Sequence, residues 1–200
     1  MPDSRNLTRV SPLLPHGDTI VNYKTVRLQE RISLTSIQIL SFKGQYKKAA
    51  KAITKALGID CPTTPGQCAS DAHTQIIWVS PISWMIVASD ADAGRSTDQL
   101  LENLQQAVGK LAAVVDQSHG RCGLRLSGEN ARKVMAKNTA IDLHPRSFGS
   151  GQCAQTSVAH MNASLVQVDD KPTYDLFVAR SLARSFTHAI EHACAEFASD

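Results

Sequence analysis

Ala113-Val-Val-Asp-Gln-Ser118, then His119-Gly120, then Arg121-Cys-Gly-Leu-Arg-Leu-Ser127 reads as two strands around a two-residue loop. Gly120 suits the positive φ that such a loop demands. On the second strand Cys122, Leu124 and Leu126 alternate with Arg121 and Arg125, so one face is buried and the other is basic.

Working outward, Ser127 can cap a helix carrying Ala131, Val134, Met135 and Lys137, with Glu129 in its first turn. A Pro/Gly-rich link, Asp142 to Gly151, leads to strands around Thr156 to Val168. Asp169-Asp170-Lys171-Pro172 then turns into Tyr174 to Ala179. Leu182, Phe186, Ala189, Ile190, Ala193 and Phe197 stripe a closing helix. Upstream, Ser96 and Gln99 have capping-box spacing ahead of Leu100, Leu101, Leu104, Ala107, Val108 and Leu111. Apolar runs Ile76–Val79 and Trp84–Ala88 flank Ser80-Pro81-Ile82-Ser83 as two strands around a turn. A strand over Ile32–Phe42 precedes a helix over Tyr46–Leu57, which Gly58 closes. Residues 1–25, with Pro2, Pro12, Pro15 and Gly17, read as an extended N-terminal arm.

The order is roughly β-α-β-β-α-β-β-α-β-β-α. Hairpins dominate, so the class is α+β, with mixed or antiparallel sheets and packed helices, not a parallel doubly wound sheet. One domain over 26–200, built of two similar split β-α-β halves (about 26–111 and 112–200), fits this order.

A formal charge of +3 and 5% aromatic residues exclude the basic stripe and stacking platform of nucleic-acid binding. No apolar run approaches the ~20 residues of a membrane span, and Met1-Pro2-Asp3-Ser4-Arg5 is not a signal peptide, so a soluble cytoplasmic chain is expected. The five cysteines (Cys61, Cys68, Cys122, Cys153, Cys194) have no CxxC spacing and read as small buried hydrophobes.

His188-Ala-Ile-Glu191-His192 matches the H-x-x-E-H zinc pattern. A catalytic zinc also needs a third protein ligand, and eight residues follow, so no metal site is assigned. Cys153 or Cys122 with His119, His144 or His160 offers no locally activated thiol. Gly149-Ser150-Gly151 follows no strand and opens no helix, so it is no phosphate cradle. No catalytic or cofactor-binding residue is assigned to this chain. Two surfaces remain as candidate partner contacts. One is the turn bracketed by Trp78 and Trp84. The other is Asp142-Leu-His144-Pro-Arg146-Ser-Phe148 together with the Arg121 and Arg125 face.

Over about residues 75–197 the chain resembles the gamma subunit of heterotetrameric sarcosine oxidases. The resemblance rests on Trp78-x-x-Pro81-x-x-Trp84, Val115-Asp116-x-Ser118-His119, Leu126-Ser127-Gly128-x-x-Ala131, Ile141-Asp142-Leu143-His144-Pro145-x-x-Phe148, Gln155-Thr156 and Arg180-Ser181. It implies a fold like the folate-binding domain of aminomethyltransferases. It also implies assembly chiefly with an alpha subunit, and with beta and delta subunits. Such a complex demethylates sarcosine to glycine and yields formaldehyde or methylenetetrahydrofolate, with hydrogen peroxide. FAD, FMN and NAD are expected in alpha and beta, zinc in delta, tetrahydrofolate as co-substrate, and no catalytic group in gamma. Two alternatives share these residues: a subunit of an N-methyl amino acid dehydrogenase, and a stand-alone folate-binding one-carbon protein. The latter needs an acid facing a pterin, for which Asp116 and Asp142 are the candidates.

Overall fold

The computed structural model describes residues 10–14, 19–89 and 96–199. The strands are β1 (Thr19–Asn22), β2 (Arg27–Glu30), β3 (Leu34–Ser41), β4 (Cys68–Ser70), β5 (Thr74–Ser80), β6 (Ser83–Ser89), β7 (Ala112–Asp116), β8 (Arg121–Ser127), β9 (Cys153–Val158), β10 (Met161–Asp169) and β11 (Thr173–Ala179). The helices are α1 (Tyr46–Leu57), α2 (Thr97–Val108), α3 (Ala131–Asn138) and α4 (Ala183–Cys194).

Helix boundaries follow from local chemistry. Gly58 closes α1 at φ 72°, its N–H donated to the Thr54 carbonyl. Ser96 and Gln99 form the expected capping box on α2. Helix α3 departs from expectation, because it begins at Ala131 behind Asn130, not at Ser127. The cause is Gly128 at φ 109°, which turns the chain against Thr25; a Cβ there would lie 2.4 Å from the Thr25 carbonyl oxygen.

The strands form two antiparallel sheets, β4-β5-β6-β3-β7 and β1-β2-β8-β11-β10-β9. In the first, β6 lies between β3 and β5, the split arrangement expected of each half. The second repeats the device with β11 between β8 and β10. The place that β7 takes beside β3 is here filled by β2, from the other end of the chain. The expected arm over residues 1–25 thus ends in an edge strand, with Val21 buried against the six-stranded sheet; residues 1–9 and 15–18 lie outside the described residues.

The hairpin expected around His119-Gly120 is not formed. Strand β7 pairs with β3 in one sheet, while β8 pairs with β2 and β11 in the other. The side chain of Asp116 accepts the Ser118 N–H and hydroxyl, and the Ser118 hydroxyl accepts the Ser36 N–H. These bonds bend the chain across to the second sheet before it can return along β7. A tight hairpin lies instead between β9 and β10, where Ala159 and His160 both take positive φ.

Three cores make a helix–sheet–sheet–helix stack. Ile37, Ile39, Ile53, Trp84 and Leu104 join the five-stranded sheet to α1 and α2. Leu28, Leu124, Val134, Leu176, Phe186 and Ile190 join the six-stranded sheet to α3 and α4. Ile77, Met85, Val87, Cys153, Val166 and Phe177 fill the seam between the sheets. At one edge a bridge between Gln67 and Gln152 stitches the sheets together, flanked by Cys68 N–H to Gly151 and Cys153 N–H to Gly66, each 2.8 Å.

Candidate functional site

An acid in the middle of an apolar strand is costly to bury without partners. Asp175 of β11 is fully buried between Tyr174 and Leu176, and its partners come from three directions. Arg125, directly opposite on β8, donates Nε and Nη2 to the two carboxylate oxygens at 2.7 and 2.9 Å. Arg31, between β2 and β3, donates Nη1 to Oδ2 at 2.8 Å and lies 5.7 Å over the Phe177 ring. Gln75, on β5 of the other sheet, donates Nε2 to Oδ2 at 3.0 Å and accepts from Arg31. One carboxylate therefore ties both sheets together. Burial lowers the Arg31 pKa, with Asp175 opposing and Arg125 adding to the fall, whereas the hydrogen bonds to Asp175 raise that of Arg125.

Cavities adjoin the six-stranded sheet. One of about 310 Å³ is lined by Arg31, Arg125 and the β4–β5 turn. A second, of about 290 Å³, lies between Leu13, Ile20 and α4, where Arg184, Thr187 and Glu191 face it. A narrow cleft holds Arg121, His119 and Arg180 around Glu30, whose carboxylate accepts the Ser11 hydroxyl.

Burial raises the Glu30 pKa above its usual 4.5, against the opposing pull of Ser11 and Arg180. An acid titrating higher in the folded state than in the unfolded state favours folding when protonated. Its contribution is complete below the unfolded value and is lost as pH rises through the folded one. Glu30→Gln removes that loss, so its stability relative to the parent chain should increase as pH rises from below 4.5 toward neutrality. Paired urea titrations across that range test this; a flat difference would refute it.

The catalytic candidates resolve into structure. Burial pushes the Cys61, Cys68 and Cys122 thiols up to about 12, and Cys153 and Cys194 to about 11, so none is a ready nucleophile. The Cys153 thiol donates to the Gln67 and Trp78 carbonyls, not to a histidine. His188, Glu191 and His192 lie on the exposed face of α4, and no cluster of three metal-ligating side chains occurs among the described residues. The Gly149 and Gly151 amides are spent on Gln152 Oε1 and the Gln167 carbonyl, which leaves no phosphate cradle. Asp116 and Asp142 sit in turns with their own bonds and line none of the three cavities.

The expected partner contacts separate into core and surface. Trp84 is fully buried, stacked on Tyr46 at 4.4 Å, with Nε1 donated to the Pro62 carbonyl at 2.7 Å. It cannot present a surface. Trp78 is half-buried and donates Nε1 to the Tyr46 hydroxyl. The exposed apolar residue of this turn is Ile82, beside Phe42, both about half exposed; Ser41 donates its N–H to the Ile82 carbonyl. Single apolar residues inside turns gave no period by which to find this pair. Arg125 is consumed by Asp175, while Arg121 has no ion-pair partner among the described residues. Asp142, His144 and Arg146 are exposed on a loop that Leu143 and Phe148 anchor in the helix-side core. Arg121 and Arg125 point from the opposite face of β8, so the loop and the strand do not form one surface.

Residues 45–196 match the family described as the sarcosine oxidase, gamma subunit family. The chain is 28% identical over 180 residues to sarcosine oxidase subunit gamma of Corynebacterium sp. (strain U-96), covering 89% of this chain and 83% of that protein. It is 30% identical to the subunit of the same name from Corynebacterium sp. (strain P-1), covering 88% and 83%. A chain of the heterotetrameric sarcosine oxidase from Corynebacterium sp. U-96 superposes with a TM-score of 0.82 and 26% identity over 96% of this chain and 97% of that one. The glycine cleavage system aminomethyltransferase T of Bartonella henselae shares the fold, at a TM-score of 0.62 and 14% identity, over 84% of this chain and 46% of that one. No helix among the described residues is long and apolar enough to cross a membrane.

Proposed function

Because the chain belongs to the sarcosine oxidase gamma subunit family, we propose that it serves a heterotetrameric sarcosine oxidase as a bracing subunit without chemistry of its own. The superposition on a chain of such a complex, over nearly the full length of both, carries this reading. It is supported by buried and half-buried thiols, spent glycine amides and hydrogen-bonded carboxylates, which leave no nucleophile–base pair among the described residues. In this assembly an alpha subunit is the main partner, with beta and delta completing the tetramer. FAD, FMN and NAD reside in alpha and beta, zinc in delta, and tetrahydrofolate accepts the one-carbon unit. The contact surface includes Ile82 with Phe42, and the exposed loop of Asp142, His144 and Arg146.

Co-expression of the tagged chain with the proteins encoded beside it, followed by affinity capture, tests the reading. A yellow complex that oxidises sarcosine is expected. A chain recovered alone would overturn the assembly role, and oxidation of another N-methyl amino acid in place of sarcosine would overturn the substrate. Arg146→Glu and Ile82→Lys should each lower the yield of complex several-fold and leave the unfolding midpoint of the isolated chain unchanged, since both side chains are exposed. Unchanged yield with both variants would remove these residues from the interface.

A further inference from the structure

Asp175 supplies one negative charge to two guanidinium groups, so the cluster at the seam between the sheets holds an unbalanced positive charge. Arg125 spends its Nε/Nη2 edge on both oxygens of Asp175. Arg31 spends only Nη1, on Asp175 and Gln75; among the described residues its own Nε/Nη2 edge has no hydrogen-bond partner. That edge, with two parallel N–H groups, is the one that matches a carboxylate in fork-to-fork geometry.

Arg31 lines the cleft around Glu30 and also the cavity of about 310 Å³. Ser70, His73 and Ser89 add further hydrogen-bonding groups to its wall, and Ile32, Leu34 and Val168 add apolar surface. Two carboxylates could neutralise the excess charge. Asp71, on the wall, turns Oδ1 to the N–H groups of His73 and Thr74 at 2.8 and 2.7 Å. Asp169, near Arg125, accepts the Thr173 N–H at 3.2 Å. Neither pairs with Arg31. A half-buried guanidinium with its bidentate edge unused, beside a cavity with polar and apolar walls, is a seat for an anion that also carries an apolar body.

We infer that this cavity binds a small monocarboxylate, its two oxygens on Nε and Nη2 of Arg31 and its short hydrocarbon body against Ile32, Leu34 and Val168. The site stands apart from any catalytic role; only the identity of its occupant, tested in the complex, rests on the assembly proposed above.

Sodium butyrate is the probe, titrated into the full-length chain at constant ionic strength and followed by ligand-observed NMR and the thermal midpoint. Butylammonium chloride and sodium chloride serve as controls. Saturable binding in the millimolar range is expected for butyrate alone (~4 kcal/mol at 1 mM). Arg31→Gln, which leaves Asp175 and Arg125 as a balanced pair, should weaken it at least about tenfold. Ser70→Leu, which fills the cavity away from the ion pairs, should do the same should Arg31→Gln fail to fold. Saturation that persists in the assembled complex identifies a free carboxylate as the occupant; saturation of the isolated chain that assembly abolishes identifies an acidic side chain of a neighbouring subunit. No saturation, an equal response to chloride, or binding unaffected by the substitution that folds would overturn the site.

Discussion

Asp175→Ala is expected to lower the stability of the chain by about 3–5 kcal/mol, enough to unfold a marginal protein. The substitution removes more than one ion pair. It leaves Arg125 and Arg31 facing each other across the seam without a counter-charge, and it strips Gln75 of its acceptor in the other sheet. The two sheets lose a side chain that receives hydrogen bonds from both. Denaturant unfolding followed by circular dichroism measures the loss. A change below about 1 kcal/mol would mean that water satisfies the arginines and that the seam is held by its apolar core and the Gln67–Gln152 bridge. Arg125→Glu should behave alike, because it sets a second carboxylate against a buried one. It therefore reports on folding and not, as the sequence suggests, on docking.

Trp84→Ala should cost about 3–5 kcal/mol, the range for removing a large aromatic ring from a packed core. The ring is buried on every side, stacks on Tyr46, and satisfies the Pro62 carbonyl of the loop after α1. Trp84→Phe keeps most of the volume and loses the N–H, so about 1–3 kcal/mol is expected from the orphaned carbonyl. The unfolding midpoint is read on the isolated chain and the yield of complex beside it. Full stability with failed assembly would restore Trp84 to the surface; lost stability in the isolated chain places it in the core.

The helices were legible because their signals are local. The stripe from Tyr46 to Leu57 ends on a Gly that takes φ 72°, and Ser96 with Gln99 closes a capping box three residues apart. The strands between them were legible as strands but not in their pairing. Asp116 and Ser118 send β7 and β8 to different sheets, yet in sequence they look like the flanks of a tight loop. The two-residue hairpin between β9 and β10 went unread, since Ala159 does not announce positive φ. Strands β1 and β2 are four residues each and carry too short a pattern to be read alone. The ionic cluster draws on Arg31, Gln75, Arg125 and Asp175, the first and last 144 positions apart. One trace of it was visible: an aspartate inside the apolar run from Tyr174 to Ala179, where only a paired acid survives burial. The family resemblance held because its motifs sit where the chain turns or packs, as with Gly128 against Thr25 and Phe148 in the helix-side core.

The placement of β2 sets a timetable for synthesis. Strands β3 to β7 and helices α1 and α2 are contiguous in sequence, so the five-stranded sheet can close as soon as Asp116 has left the ribosome. Strand β2 emerges before all of them, but its neighbour β8 begins only at Arg121, and β11, which covers the far side of β8, only at Thr173. For most of translation the first strands to appear are therefore a pending edge, waiting on the last quarter of the chain. Truncated nascent chains should protect the five-stranded half from protease well before they protect residues 19–30.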